Sequence, residues 1–243
     1  MATAYSATAE PRIRVWDLPL RLFHWLLVAA IAVAFLSSEE DSALNQWHVL
    51  SGWVAGLLIL FRIVWGFAGG EHSRFADFVR PSALRHHVAE LLRGRAAPSL
   101  GHNALGALSV LLLLALVGAT VATGVLVMEE PHELIAWTLL ALVALHVAAV
   151  VLMSAMTREN LVRAMIGGTK KAASHPGARD AARPRLGGML LAALVIAGSA
   201  YAVRAWDPLA FTPRSAEDYE HGAGQHRTGG GDDVGEEGGE HEE

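Results

Sequence analysis

The sequence predicts an all-α integral membrane protein, a bundle of four transmembrane helices joined by a fifth transmembrane helix. Of 243 residues, 53% are hydrophobic and only 18% are charged, with a mean hydropathy of +0.35, which is rich for a soluble domain. The apolar residues gather in runs at 20–38, 47–67, 103–127, 133–155 and 187–203. Each run suits a hydrocarbon core of roughly 30 Å, which takes about 20 helical residues to cross. The basic residues, finally, sit in alternate connections. Three precede or open the first run, six lie from Arg62 to Arg95 and seven from Arg158 to Arg185, so these places hold 16 of the 19 Lys and Arg.

That alternation fixes the expected topology. The connections SSEEDSALNQ and MEEPHE contain no Lys or Arg, so the positive-inside rule puts the N-terminal segment 1–19 in the cytoplasm and, with five spans, the C-terminal tail outside. The first run is short, and a basic start before a short apolar stretch also describes a signal peptide. No small-residue cleavage pattern follows Leu36, however, and the run contains Arg21 and His24. The two acidic connections are short, so spans one and two form one hairpin and spans three and four another. Together residues 20–157 read as one four-helix domain. Its connection 68–101 holds an amphipathic pattern in which Ser82 caps a helix with Leu84, Val88, Leu91 and Leu92 on one face, suited to the cytoplasmic membrane surface or to an ordinary solvated helix. Residues 158–186 read as a basic linker near anionic headgroups. The Gly/Ala-rich run 187–203 is the fifth span. From 204 the chain carries 11 of its 24 acidic residues and is expected to be a disordered tail.

Cysteine is absent, which excludes disulfides, thiolate iron–sulfur clusters, the usual zinc sites and haem attached through a CxxCH motif. Histidines remain as the chemistry-bearing groups. Ionisable side chains within a span are costly and usually face an interior or a cofactor. Of the 12 histidines, His24, His48, His102, His132 and His146 lie in or at the ends of spans. His132 and His146 are 14 residues apart, which at about 100° per residue leaves them roughly 40° from the same direction and about 21 Å apart along the axis. One metal ion cannot bridge that distance, but two cofactors stacked across the membrane can each take one ligand. His48 opens span two level with His132, and His24 lies in span one at the depth of His146. Two histidines at each level is the ligand count for six-coordinate iron in non-covalent haem b, with imidazoles on both axial positions. Gly52 and Gly56 follow His48 at intervals of four and would let a porphyrin lie against the helix. His102 suits an N-cap region, a propionate contact or a quinone contact. His86 and His87 point about 100° apart and read as surface residues, and His221, His226 and His241 belong to the polar tail.

The motifs VWDLPLRLFHWLL, QWHVLSGWVAGLLILFRIVWGF and RFADFVRP, then GHNALGALSVLLLL, HELIAWTLLALVALH and RENLVRAMIGG, resemble the bacterial cytochrome b561 family, which includes the cytochrome b subunits of membrane-bound nickel–iron hydrogenases. The resemblance covers roughly residues 12–168. It implies a four-helix bundle of the bacterial inner membrane holding two haem b groups, with electrons passing between quinone and a redox partner. It also implies axial ligands at His24, His48, His132 and His146, the four that depth matching selects. Ala104 stands where the family often has proline.

Two arginines, Arg21 and Arg62, lie toward the cytoplasmic ends of their spans and suit either haem propionates or positive-inside anchoring. Arg21 and Trp25 beside His24 also suit a quinone headgroup. The expected partners are the membrane, quinone or quinol, and a periplasmic c-type cytochrome drawn by the acidic tail, with a homodimer as a further assembly. No nucleic-acid-binding role is expected. One alternative is a membrane-anchor subunit of a hydrogenase or other dehydrogenase. A second, from a different class, is a haem-free metal-binding or transport membrane protein using the same histidines.

Overall fold

The computed structural model describes residues 10–39, 41–78, 93, 98–215 and 217–219. Five long helices account for the five apolar runs. They are α1 (Leu18–Leu36), α2 (His48–Ala68), α4 (Ala104–Val125), α5 (Glu129–Thr157) and α7 (Leu186–Trp206), with the short helices α3 (Phe75–Phe78) and α6 (Leu161–Gly167) between them. All five long helices are long and apolar enough to cross a membrane. Their outward faces confirm the solvent they are built for. Leu134, Trp137, Leu145, Val151 and Leu152 of α5 are all more than half exposed, an apolar surface that only lipid would cover without cost.

Local signals set the helix ends. Asp17 caps α1 by accepting from Leu20 N at 2.8 Å, and a proline stands in the first turn, where its missing N–H is no loss. Asn103 caps α4 through Gly106 N at 2.7 Å. Helix α5 starts at Glu129, earlier than the apolar run suggests, because Glu129 and Glu130 favour the positive end of the helix dipole. His132 lies within the first turns of the helix.

The pairs α1/α2 and α4/α5 form the two expected hairpins, and α2 lies between α4 and α7. One cluster of buried side chains, Ala30, Ala55, Ile59, Val117 and Leu139, fills the middle of the bundle. A second, around Trp16, Leu20, Phe23 and Trp65, includes Ala192 of α7 and so ties the fifth helix to the other four. At Gly188 a Cβ would stand 2.4 Å from the Ala68 carbonyl oxygen, so only glycine permits this approach of α7 to α2.

The end holding the chain's basic connections, called here the basic end, is more structured than a linker. Residues Arg12–Arg14 (β1) pair antiparallel with Thr169–Lys171 (β2), with Arg12 opposite Lys171. Helix α6 ends at Gly168, whose φ of 77° suits glycine. Its carbonyl accepts from Val15 and Trp16 N at 2.8 and 3.1 Å. The segment expected as a linker at 158–186 therefore docks onto the segment before α1. The small β-ribbon is also the one departure from an all-α reading among the described residues. The amphipathic helix expected after Ser82 lies outside the described residues. So does the tail from 220, whereas the stretch expected to be disordered from 204 first completes α7 and then folds back against the bundle. Its anchor is a nearly buried ion pair between Asp207 and Arg214.

Candidate functional site

Where α1 ends and α2 begins, the chain carries Glu39 and Asp41, and the α4/α5 turn adds Glu129 and Glu130. At this acidic end the structure brings His48 and His132 together, with ring centroids 6.0 Å apart and planes at 75°. Each ring is fixed from behind. His48 Nδ1 is 2.9 Å from the Ala34 carbonyl oxygen in the last turn of α1, which also accepts from Ser37 Oγ at 3.2 Å. His132 Nδ1 is 2.9 Å from the Thr120 carbonyl oxygen and 3.3 Å from Thr123 Oγ1. A carbonyl only accepts, so Nδ1 carries the proton in both rings and Nε2 keeps its lone pair, the arrangement found in metal-ligating histidines.

The two histidines border a cavity of ≈ 190 Å³ that Gly52, Trp53, Thr120, Gly124 and Tyr219 also line. A Cβ at Gly52 would meet nothing within 4 Å, so that face of α2 stands open. At Gly124 a Cβ would lie 3.1 Å from His132 Cε1, so glycine there makes room for the imidazole. Gly56, expected on the same open face as Gly52, instead meets Val121 Cγ1 at 3.2 Å and serves the packing of α2 on α4. Two imidazoles bound through Nε2 on opposite sides of one metal, with bonds of about 2 Å, have centroids roughly 6 Å apart. The spacing, the tautomers and the open glycine face fit a haem at this level.

Toward the basic end, His24 of α1 and His146 of α5 lie within electrostatic range of each other. His24 packs on Trp25 with centroids 5.1 Å apart, and Ser109 Oγ is 3.1 Å from His146 Nδ1, again leaving Nε2 for another partner. Among the described residues no three or more His, Cys, Asp or Glu side chains gather as a metal site. Two imidazoles per level suit a cofactor that brings its own four equatorial nitrogens. A bare zinc or copper site draws three or four protein ligands.

The arginines take different places. Arg21 donates from Nε to the Met165 carbonyl at 3.2 Å and from a terminal nitrogen to the Ile166 carbonyl, which clamps the end of α6 to α1 where the helix dipole favours a cation. Arg62 is buried in α2 with its guanidinium 4.7 Å over the Phe75 ring. His102 is half-buried before α4 with its ring 4.7 Å from that of Trp16. Burial, then the nearby Arg62 cation, pushes its pKa down to about 3, so it is neutral at pH 7.

Sequence reading passed over two groups at the basic end. Asp17 caps α1 and also accepts from Trp65 Nε1 at 3.1 Å, Ser73 Oγ at 2.6 Å and Gly70 N at 3.2 Å. Its sequence signal, an acidic residue just before a Pro-containing helix start, announces the cap alone. Lys170, Glu159 and His175 form a buried cluster, with Lys170 Nζ 3.1 Å and His175 Nε2 2.8 Å from Glu159 carboxylate oxygens. Lys170 also donates to the Ser99 carbonyl at 2.6 Å, and burial pushes its pKa down against the pull of Glu159. No local pattern signals this cluster.

Residues 15–168 match the family model of the prokaryotic cytochrome b561. The chain is 26% identical over 213 residues to the "Probable Ni/Fe-hydrogenase B-type cytochrome subunit" of Azotobacter vinelandii, covering 65% of this chain and 88% of the relative. It is 22% identical over 223 residues to the protein of the same description from Bradyrhizobium diazoefficiens, covering 70% of this chain and 90% of the relative. No solved structure gives a significant match.

Proposed function

Because this chain belongs to the prokaryotic cytochrome b561 family and is thus a membrane cytochrome b of electron transfer, we propose that it holds two haem b groups. In this reading His48 and His132 ligate one at the acidic end, and His24 and His146 ligate the other toward the basic end. The observation that carries it is the His48–His132 pair, 6.0 Å apart with both Nδ1 atoms bound from behind. Haem b, when bound, supplies a reversible one-electron Fe(III)/Fe(II) couple. The protein's part is ligation, orientation and exclusion of water. Ala34 and Thr120 hold two imidazoles by their carbonyls and Ser109 steadies a third, so each presents Nε2 in a fixed direction. Leu139, Val117 and Ile59 keep the space between the two levels apolar.

The basic end is the cytoplasmic side in this reading, since it gathers the Lys and Arg of alternate connections, and the C-terminal tail is periplasmic. Quinone or quinol exchanges electrons from within the bilayer, and Arg21 and Trp25 beside His24 provide a polar group and a flat apolar surface for its headgroup. At the acidic end a periplasmic c-type cytochrome is the redox partner. A second reading, a membrane subunit of a hydrogenase or other dehydrogenase complex, is favoured by the descriptions of the relatives and by the near-complete coverage of their length. Co-purification of a metalloenzyme decides for it. The reduced-minus-oxidised spectrum and pyridine haemochrome of purified protein test the common core. About two haems b per chain is expected. Absence of a Soret and α band on reduction would instead favour the haem-free metal-binding or transport reading.

A further inference from the structure

The polypeptide beyond α7 does not leave the molecule at the membrane surface. Asp207, 8% exposed, accepts from Trp53 Nε1 of α2 at 3.3 Å and pairs with Arg214, while its carboxylate also takes Leu209 N at 3.1 Å. Ala210 is fully buried and its N–H bonds the Asp207 carbonyl at 3.0 Å. Arg214 N donates to the Gln46 carbonyl at 2.7 Å, just before His48. The Arg214 guanidinium lies 4.9 Å over the Tyr219 ring, and Tyr219 Oη donates to the Val125 carbonyl at the end of α4 at 3.4 Å. These contacts carry the chain from the end of α7 across the entry of α2 to the exit of α4. Tyr219 there lines the same cavity as His48 and His132.

We propose that Tyr219 forms a wall of the acidic-end haem site as a contact residue of the cofactor, with Asp207 and Arg214, in the segment 207–215 that leads to it, positioning residues that deliver it. The proposal rests on the two-haem reading. Its physical content is separate, because this wall comes from sequence beyond the part that matches the family, which ends at 168. A buried carboxylate–guanidinium pair contributes little net stability by itself, whereas one that bridges a returning segment to Trp53 and to the turn before His48 fixes a geometry. An aromatic ring with a cation stacked on its face excludes water from one side of the cavity. Exclusion of water around a haem disfavours the more charged oxidised state and raises the potential.

The test uses the full chain with both haems, compared with Tyr219→Ala, Tyr219→Phe, a stop after Trp206 and a stop after Tyr219. Midpoint potentials and low-spin electron paramagnetic resonance signals are read for each haem. Tyr219→Ala and the stop after Trp206 should lower one midpoint and leave the other in place, and the displaced signal should be the one that His132→Ala abolishes. Tyr219→Phe keeps the ring and should restore the parent value, and the stop after Tyr219 should match the full chain. Unchanged midpoints in both Tyr219→Ala and the stop after Trp206 would overturn the proposal, as would equal shifts of both haems. A full chain that binds no haem would overturn the two-haem reading and the wall together, an outcome that the haem assay alone distinguishes.

Discussion

Gly52 lies about one turn beyond His48 on α2, and a Cβ built on it meets no atom within 4 Å. Filling that position separates what the polypeptide tolerates from what a bound cofactor tolerates. Replacing a helix-interior glycine by alanine or leucine favours the helix by about 0.5–1 kcal/mol, and the side chain enters the ≈ 190 Å³ cavity beside His48 and His132. With a porphyrin against α2, the same side chain overpacks the site. Overpacking costs about 1–3 kcal/mol, a loss of roughly 5- to 150-fold in haem affinity at that level. Gly52→Leu should therefore fall from about two haems per chain toward one, while its helical content and thermal midpoint in detergent hold or rise. Gly56→Leu is the contrasting variant. Its Cβ already lies 3.2 Å from Val121 Cγ1, so it should lower the thermal midpoint through the α2/α4 interface. Pyridine haemochrome against protein concentration, with a thermal melt of the same sample, measures both. Two fully low-spin haems with unchanged spectra in Gly52→Leu would refute the placement of a haem in this cavity.

Asp17→Ala removes a helix cap worth about 1 kcal/mol and leaves Trp65 Nε1 and the Ser73 hydroxyl buried without their acceptor, about 1–3 kcal/mol each; a loss of about 3–7 kcal/mol should appear in chemical unfolding, and less than about 1 kcal/mol would contradict it. Glu159→Gln leaves Lys170 buried without its counter-charge and should cost about 3–5 kcal/mol, with much of the loss recovered by adding Lys170→Met. His102 titrates in the folded chain at about 3 against an ordinary 6.5. Between those values the unfolded chain holds the extra proton, so stability is full above about pH 6.5 and falls on acidification by up to about 1.4 kcal/mol per unit. Thermal midpoints between pH 7.5 and 5 should show that slope in the parent and a shallower one in His102→Gln. A stop after Tyr219 removes the acidic terminal run without disturbing the segment at Asp207, and should slow electron exchange with a basic c-type cytochrome at low salt only, because steering is screened over about 8 Å at physiological ionic strength.

The five spans were readable because each is a long apolar run, and their pairing because basic residues alternate between connections. The approach of His48 to His132 was readable from helical periodicity, which sets the depth and direction of a side chain once the span is known. What escaped depends on contacts distant in sequence. Asp17 looks like a simple cap, yet its other partners are 48 to 56 residues away. The stretch 158–186 looks like a basic linker because its helix and strand are too short for a periodic signal, and β2 forms only against β1, 157 residues earlier at Arg12 and Thr169. The segment after α7 is polar and leads straight into the acidic, Gly-rich terminal run, and composition does not reveal that Asp207 and Arg214 bury each other. Gly56 carried the same helical phase as Gly52, but the neighbour it faces is decided by how α4 packs.

Paired and crossed double substitutions test the ligand assignment most directly, with low-spin haem counted by electron paramagnetic resonance and pyridine haemochrome in each purified variant. His24→Ala with His146→Ala removes both ligands of one level and should assemble with one intact low-spin haem, which also shows that the bundle survives the loss of a cofactor. His24→Ala with His132→Ala takes one ligand from each level and should leave no fully low-spin haem. One intact low-spin haem in that crossed variant would contradict the assignment, because His24 and His132 would then serve the same iron.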